Sequence, residues 1–446
     1  MNAGARLDRL PVCRFHYRIL ALIGSGLFLD AVDIYVQGPL LAYFLATGWS
    51  DIKQNANFLS ATFVGLLCGA LISGRLSDRF GRRRLYQANL ILFGVSSILA
   101  AFAPSPALLI ACRVVIGLGL GGEVIVSYGT LTEFVPPAKR AVWQGKLALI
   151  SNLGIPASAL LCATLLPTFG WRPVFGLVGL FALLVWIFRQ SMPESPRWYE
   201  TVNRTEEAER TLQDIEAEVE RYTGSRLVAV MPRNIPPPQE KPPAIKILFQ
   251  GTLRRRMLLA MLLMTCTNVV VYAFTGWLPT VLVEKTIPVS RMLTMTWLIQ
   301  IGALPGALLG PWIAERAGRK LGISGISIAA IFSGLSFAFV DSTTLLIAAG
   351  FVTSLLSYSL VAIMFAVYIP ELFPTALRMT GSSLANACGR TANIFAPQGI
   401  AWMIPHWGTS SIFIAISGLL FLQAAAITVF GENTGQRSLE EISSLT

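Results

Sequence analysis

Two aspartates, Asp30 and Asp33, stand inside the first long apolar run, in "GLFLDAVDIYVQGPLL" (26–41). A carboxylate at the centre of a lipid-spanning helix costs about 2.5–3.5 kcal/mol even on the gentlest insertion scale. Three positions apart, the two share a helix face. Aspartate lacks the long stem by which Lys and Arg reach back to water, so the pair is expected to line a pathway or to find partners inside a bundle. A later apolar run, "RVVIGLGLGGE", supplies Arg113 and a third acid, Glu123. Loss of water favours the neutral form of a carboxyl, and a neighbouring guanidinium favours the charged form. A group that alternates between those surroundings takes up a proton on one side and releases it on the other. The chemistry these residues suit is proton coupling.

A second set of polar residues lies in the later apolar runs. "NACGRTANIFAPQ" carries Arg390 with Asn386 and Asn393, and an arginine there offers two parallel hydrogen bonds to a carboxylate. A salt bridge or carbonyl clamp inside the bundle fits it equally well. Asn268, Tyr272 and Trp277 in "NVVVYAFTGWLP", Gln300, and Tyr35 and Gln37 beside the aspartates complete the candidate substrate contacts. Each alone is served as well by packing or helix–helix hydrogen bonding. Other chemistries find no support. "GLGLGG" resembles a dinucleotide fingerprint, but that motif needs a preceding strand, whereas small residues within an apolar run let helices approach closely. The six cysteines are scattered without a CxxC, and the two histidines, His16 and His406, stand far apart. No metal, cofactor or catalytic triad is expected, and a membrane enzyme is the weakest of the function classes.

The elements that must position these residues are helices in lipid. Of 446 residues, 54% are hydrophobic and 13% charged, with mean hydropathy +0.62. A soluble domain gives about a quarter of its residues to charge, so a bilayer must cover much of this surface. About twelve runs reach spanning length, near 18–45, 57–76, 85–103, 107–132, 142–166, 172–190, 257–283, 292–314, 321–340, 343–369, 379–404 and 408–430. The fold class expected is an all-α integral membrane protein. The net charge of +11 does not point to nucleic acid, because Arg and Lys gather in alternate loops. They precede the first span, follow the second, fourth and eighth, and precede the seventh, while "APSPA", "LPTFGW" and "VDSTT" are nearly free of them. This positive-inside pattern places both termini in the cytoplasm. The first run is expected to be a retained anchor, since it is long enough to span and no small-residue cleavage site interrupts it.

The chain also repeats itself. "GALISGRLSDRFGRRR" (69–84) aligns without a gap with "GALLGPWIAERAGRK" (306–320), and "EFVPPAKR" (133–140) matches "ELFPTALR" (371–378) at nearly the same separation. Repetition of two motifs at one spacing divides the chain into an N-terminal six-helix bundle (1–190), a linker (191–256), a C-terminal six-helix bundle (257–430) and a tail (431–446). In the linker, "NRTEEAERTLQDIEAEVERY" (203–222) reads as an exposed cytoplasmic helix, charged nearly all round. "IPPPQEKPP" (235–243) reads as a stiff polyproline-type spacer, and "AIKILFQGTLRRR" (244–256) as an interfacial amphipathic piece.

The repeated loops resemble the signature of the major facilitator superfamily. "RVVIGLGLGGE" with "EFVPPAKR", "MPESPRW", "PELFPTALRMTG" and "GENTGQRSLEEI" resemble its sugar-porter and metabolite:proton symporter branch. "DAVD" and "GGE" are closest to its nicotinate, aromatic-acid and synaptic-vesicle-glycoprotein-like members. The resemblance implies two pseudo-symmetric six-helix bundles working by alternating access in a plasma membrane, bacterial inner membrane included, with a small-molecule substrate, a proton, the lipid bilayer and no further partner for a monomer. It implies that Asp33 is the main proton carrier and Arg113 its competitor, with Asp30 and Glu123 secondary. It also implies a gating latch across the bundles from Asp78, Arg82, Glu133, Arg140, Glu194 and Arg197 in one half and Glu315, Arg319, Glu371 and Arg378 in the other. The function expected is proton-coupled import of an organic acid, aromatic or nicotinate-like. Sugar or polyol symport, proton-coupled efflux, passive facilitation and a transporter-like nutrient sensor remain alternatives. The double-glutamine motif of hexose porters is missing from the seventh span, and the fifth lacks the full glycine–proline signature of drug antiporters.

Overall fold

A computed structural model describes residues 3–224, 226–227, 245–374 and 377–432, apart from the side chains of Arg75, Ile125 and Ala141. Among these residues the secondary structure is helical, without a strand. A short α1 (Ala3–Asp8) precedes α2 (Arg14–Ala46), α3 (Ile52–Phe80), α4 (Arg82–Ala101), α5 (Pro106–Phe134), α6 (Arg140–Phe169) and α7 (Arg172–Arg189). Two helices without spanning character follow, α8 (Pro196–Thr201) and α9 (Thr205–Thr223). The later part runs α10 (Gly251–Glu284), α11 (Val289–Gln300), α12 (Ala303–Arg316), α13 (Arg319–Phe339), α14 (Thr343–Ile363), α15 (Ile369–Glu371), α16 (Arg378–Trp407) and α17 (Ser410–Phe430).

By length and composition, eleven of the stretches so formed can cross a membrane, α11 with α12 and α14 through α15 each counting as one. The twelfth expected span, α16, has 30 residues, ample for about 30 Å of hydrocarbon at 1.5 Å per residue. It is not among the eleven because Asn386, Arg390, Asn393 and Gln398 interrupt its apolar character.

Local chemistry sets the punctuation. Gly81 and Gly318, equivalent positions in the repeated loops, cap α4 and α13 with φ of 98° and 80°. A β-carbon is strained there, which explains why both loops spend a glycine at that point. Ser105 caps α5, its hydroxyl accepting from the Leu108 N–H, with proline at the first helical position. Before Pro370 the chain passes through a π-helical turn, Met364–Tyr368.

The linker differs from expectation in two respects. The helix α9 is amphipathic: Ala208, Leu212, Ile215 and Val219 are buried at helical spacing, and three of them enter a core with Ala3, Leu7, Phe134, Trp143 and Met192. Counting charge along the sequence concealed this stripe, because its four small and aliphatic residues are spread through a run of acids. The segment 245–256 is a 3-10 turn, Ile245–Phe249, that leads directly into α10, so the three arginines 254–256 belong to the seventh spanning helix. The spacer 235–243 and most of the tail lie outside the described residues.

By compactness the chain forms two units, Met1–Ile34 with Val64–Gly154 and Gly170–Pro238, and Tyr35–Phe63 with Ile155–Phe169 and Gln239–Thr446. The repeat divides the chain by sequence likeness and the units divide it by contact, so 35–63 and 155–169 pack with residues of the second half. In the first unit, glycines set the approach of α3 to α5. A β-carbon on Gly65 would meet the Val114 carbonyl, and one on Gly121 the Leu66 carbonyl. In the second unit Gly306 and Gly310 of α12 stand in the same way against Leu355 and Ser359 of α14. The glycines of "GLGLGG" are therefore packing surfaces.

Candidate proton and substrate sites

In the first unit, α2 and α5 bring Asp33 and Arg113 together with an N···O distance of 2.5 Å, both side chains fully buried. Arg113 also lies over the Phe175 ring of α7, 4.8 Å from its centroid. The second ion pair is one the sequence did not suggest. Glu123 of α5 pairs with Arg189 of α7 at 2.5 Å. Arg189 further donates to the carbonyls of Leu22 and Ile23 at 2.6 and 2.9 Å and lies over the Tyr86 ring. Gly26 makes room for this, since a β-carbon there would run into Arg189 and Glu123. Asp30 is buried as well, and neither of its oxygens accepts a hydrogen bond.

In the second unit, Tyr35, Tyr272 and Tyr358 form an aromatic cluster. Tyr35 stacks on Tyr272 with centroids 6.3 Å apart at 13°, Tyr358 is tilted against Tyr35 at 6.3 Å, and Phe63 meets Tyr272 edge-on at 4.9 Å. Arg390 acts electrostatically on Tyr272, and its Nη1 is buried without a hydrogen-bond partner. Asn386 Oδ1, Asn393 Nδ2, Tyr358 Oη and both polar ends of Gln300 are likewise buried and unpartnered. Native interiors leave few such groups unsatisfied, so those on α11, α14 and α16 are available to a polar ligand. The other candidates are differently occupied. Asn268 donates to the Met264 carbonyl at 2.8 Å, Gln37 accepts from Thr62 at 3.2 Å, and Trp277 is 2% exposed within the packed interior. Tyr358 was not anticipated, standing in a long apolar run without a charged neighbour. Gln398, also unanticipated, donates to Asn57 and Ser60 at 2.9 and 3.2 Å.

The family described as sugar (and other) transporter matches residues 40–445. The chain belongs to that family, within the major facilitator superfamily. Its relatives include the inner membrane metabolite transport protein YdjE of Escherichia coli (strain K12), 36% identical over 445 residues, 99% of this chain and 98% of that protein. The niacin transporter NiaP of Acinetobacter baylyi (strain ATCC 33305 / BD413 / ADP1) is 29% identical over 99% of this chain and 100% of its own length. A crystal structure of a D-xylose-proton symporter shares the fold, with a TM-score of 0.72 at 19% identity over 96% of this chain and 100% of that one. The protein is thus a transporter of the sugar and metabolite type with the all-α major facilitator fold.

Several of the transporter's loop charges have partners in their own unit. Arg82 reaches Asp78 at 2.8 Å and Glu133 at 3.2 Å, and Arg319 reaches Glu371 at 2.9 Å. Glu194 accepts from the backbone N–H groups of Arg82 and Ser195 at 2.9 and 3.0 Å. Burial pushes its carboxyl above the usual range, against the pull of those bonds. Arg140 and Arg197 converge on Asp8 of α1, at 3.1 and 2.5 Å, an acid that sequence alone gave no reason to single out. Glu315 enters no ion pair among the described residues, and Arg378 opens α16.

Proposed function

We propose that this transporter imports a small aromatic carboxylate, of the nicotinate class, together with a proton. The observation that carries the coupling is the buried ion pair of Asp33 and Arg113. Removing one partner from such a pair leaves an uncompensated buried charge, so protonation of Asp33 and movement of Arg113 are tied together. Substrate binding and the opening of one side or the other then bias which of the two partners is satisfied. The family membership, the niacin transporter among the relatives and the proton symporter that shares the fold all support this reading.

For the substrate, Arg390 supplies the cation and the Tyr35–Tyr272 stack a flat apolar wall. A guanidinium takes a carboxylate by two parallel hydrogen bonds, and an aromatic ring gains about 0.5–1.5 kcal/mol from offset or edge-on neighbours. A proton entering with a monovalent carboxylate carries no net charge, so at one-to-one stoichiometry the pH difference drives accumulation, about 1.4 kcal/mol per pH unit. The working cycle proposed is alternating access between two six-helix halves, 1–190 and 257–430, joined by the linker 191–256. The basic loops and both termini face the cytoplasm in a bacterial inner membrane. The loop charges, from Asp78, Arg82, Glu133, Arg140, Glu194 and Arg197 to Glu315, Arg319, Glu371 and Arg378, exchange partners as the mouth on that side opens and closes.

Competition tests the substrate class. Purified protein in liposomes, alkaline inside, is given labelled nicotinate with an excess of unlabelled benzoate, xylose or a polyol. Benzoate is expected to suppress uptake and the neutral compounds to leave it unchanged. Suppression by the sugar with indifference to benzoate would contradict the proposal.

A further inference from the structure

The buried interior of the first unit holds three acids on α2 and α5, Asp30, Asp33 and Glu123, and two cations, Arg113 and Arg189. Each cation is in contact with one acid, Arg113 with Asp33 and Arg189 with Glu123, both at 2.5 Å. Asp30 is the acid left over. It is 2% exposed, and its two oxygens are buried without a hydrogen-bond partner. The charges that act on it are Glu123, Arg189 and Asp33. The helix α6 packs on this stretch through Gly154, against the Phe28 carbonyl, the Ala31 side chain and the Val32 backbone, and brings no charge to that contact among the described residues. On α4, Tyr86 faces Arg189 with its ring and is neutral.

Three ionised carboxyls beside two guanidiniums would leave a net negative charge sealed from water, which proteins avoid by neutralising the group. Asp33 and Glu123 each already lie against a guanidinium. We infer that Asp30 is the neutral acid of this conformer: its carboxyl holds a proton, and Glu123–Arg189 is the fixed pair beside it. A sodium ion is a poorer occupant, because it needs several oxygens, while Glu123 Oε1 already lies against Arg189 and Asp33 Oδ2 against Arg113. When the Asp30 proton leaves, its carboxylate must share Arg189 with Glu123. Release is therefore linked to a guanidinium that also ties α7 to the Leu22 and Ile23 carbonyls of α2. Asp33 is then the acid whose ion pair is broken and remade, and Asp30, one turn away, is the acid that stores the proton while that pair is closed. The purpose assigned to this proton rests on the symport proposed above, but its presence does not.

Infrared spectroscopy tests the presence directly, without substrate. The protein in lipid nanodiscs at neutral pH is expected to show a protonated-carboxyl stretch that shifts in heavy water and vanishes in Asp30→Asn. Glu123→Gln provides a second variant. It leaves two acids for two cations, frees Arg189 for Asp30, and is expected to remove the same band although Asp30 is intact. A wild-type spectrum without the band, as a bound sodium ion would give, overturns the inference. So does a band that survives Asp30→Asn, or one that Glu123→Gln leaves at full strength. Because transport is not measured, failure here is distinct from failure of the symport proposal.

Discussion

At Asp33 the proposed coupling reduces to one contact, a buried carboxylate against the buried Arg113 guanidinium. Asp33→Asn keeps the shape of the side chain and discards the proton, so it is expected to abolish uphill accumulation while exchange of labelled for unlabelled nicotinate continues. Counterflow in proteoliposomes separates the two, and accumulation at the wild-type level would remove Asp33 from the mechanism. Arg390 makes a different demand. Lysine keeps the charge but not the planar fork, and losing a charge-assisted hydrogen bond costs about 1.5–3 kcal/mol. Arg390→Lys should therefore weaken nicotinate binding roughly 10- to 100-fold, measured by calorimetry on the detergent-solubilised protein. Asp30, Asp33 and Arg113 were legible in the sequence because charge inside an apolar run is conspicuous. Arg189 was not, because it ends its run and reads as one more basic loop residue. Only the path of α7 past Leu22 and Ile23 brings it inside.

Helices are where the sequence was most informative. Apolar runs located the spanning helices to within a few residues of most of their ends, and the shared loop motifs located the equivalent glycine caps at 81 and 318. The stripe on α9 was missed because its four buried positions are diluted by charge, and their partner is the N-terminal segment, distant in sequence. That segment is held by ion pairs as well as by packing. Arg6 reaches Glu209 and Glu216 at 2.7 Å each, and Arg9 reaches Glu216. Burial alone would raise the Glu216 carboxyl, but the arginines hold it below its usual value, and Arg6 does the same for Glu209. An acid depressed by folding contributes stability above its unfolded pKa, about 4.3, and loses it as pH falls through the lower folded value. Amide exchange should accordingly show α1 protected from neutral pH down to about 4.3 and loosened below it, whereas Glu216→Gln should loosen it at neutral pH. Between α3 and α5 the contact is backbone to backbone. Gly121→Ala would push a methyl group onto the Leu66 carbonyl, an overpacking expected to cost about 1–3 kcal/mol and to appear as a lowered melting temperature.

For the whole molecule, repetition and the placement of charge made the fold and the class of activity legible, while the chemistry of the cargo was less so. The proposed substrate contacts are single polar residues on several helices, among them Tyr35, Tyr272, Asn386 and Arg390, and no spacing along the chain announces them as a set. The account depends on a proton travelling with the solute in the same direction. Liposomes containing the protein and an internal pH indicator, with no gradient imposed, are given external nicotinate, and protein-free liposomes correct for passive entry of the acid. Acidification of the interior that accompanies uptake and disappears in Asp33→Asn is the predicted result. Uptake with no change of internal pH, or with alkalinisation, would contradict it.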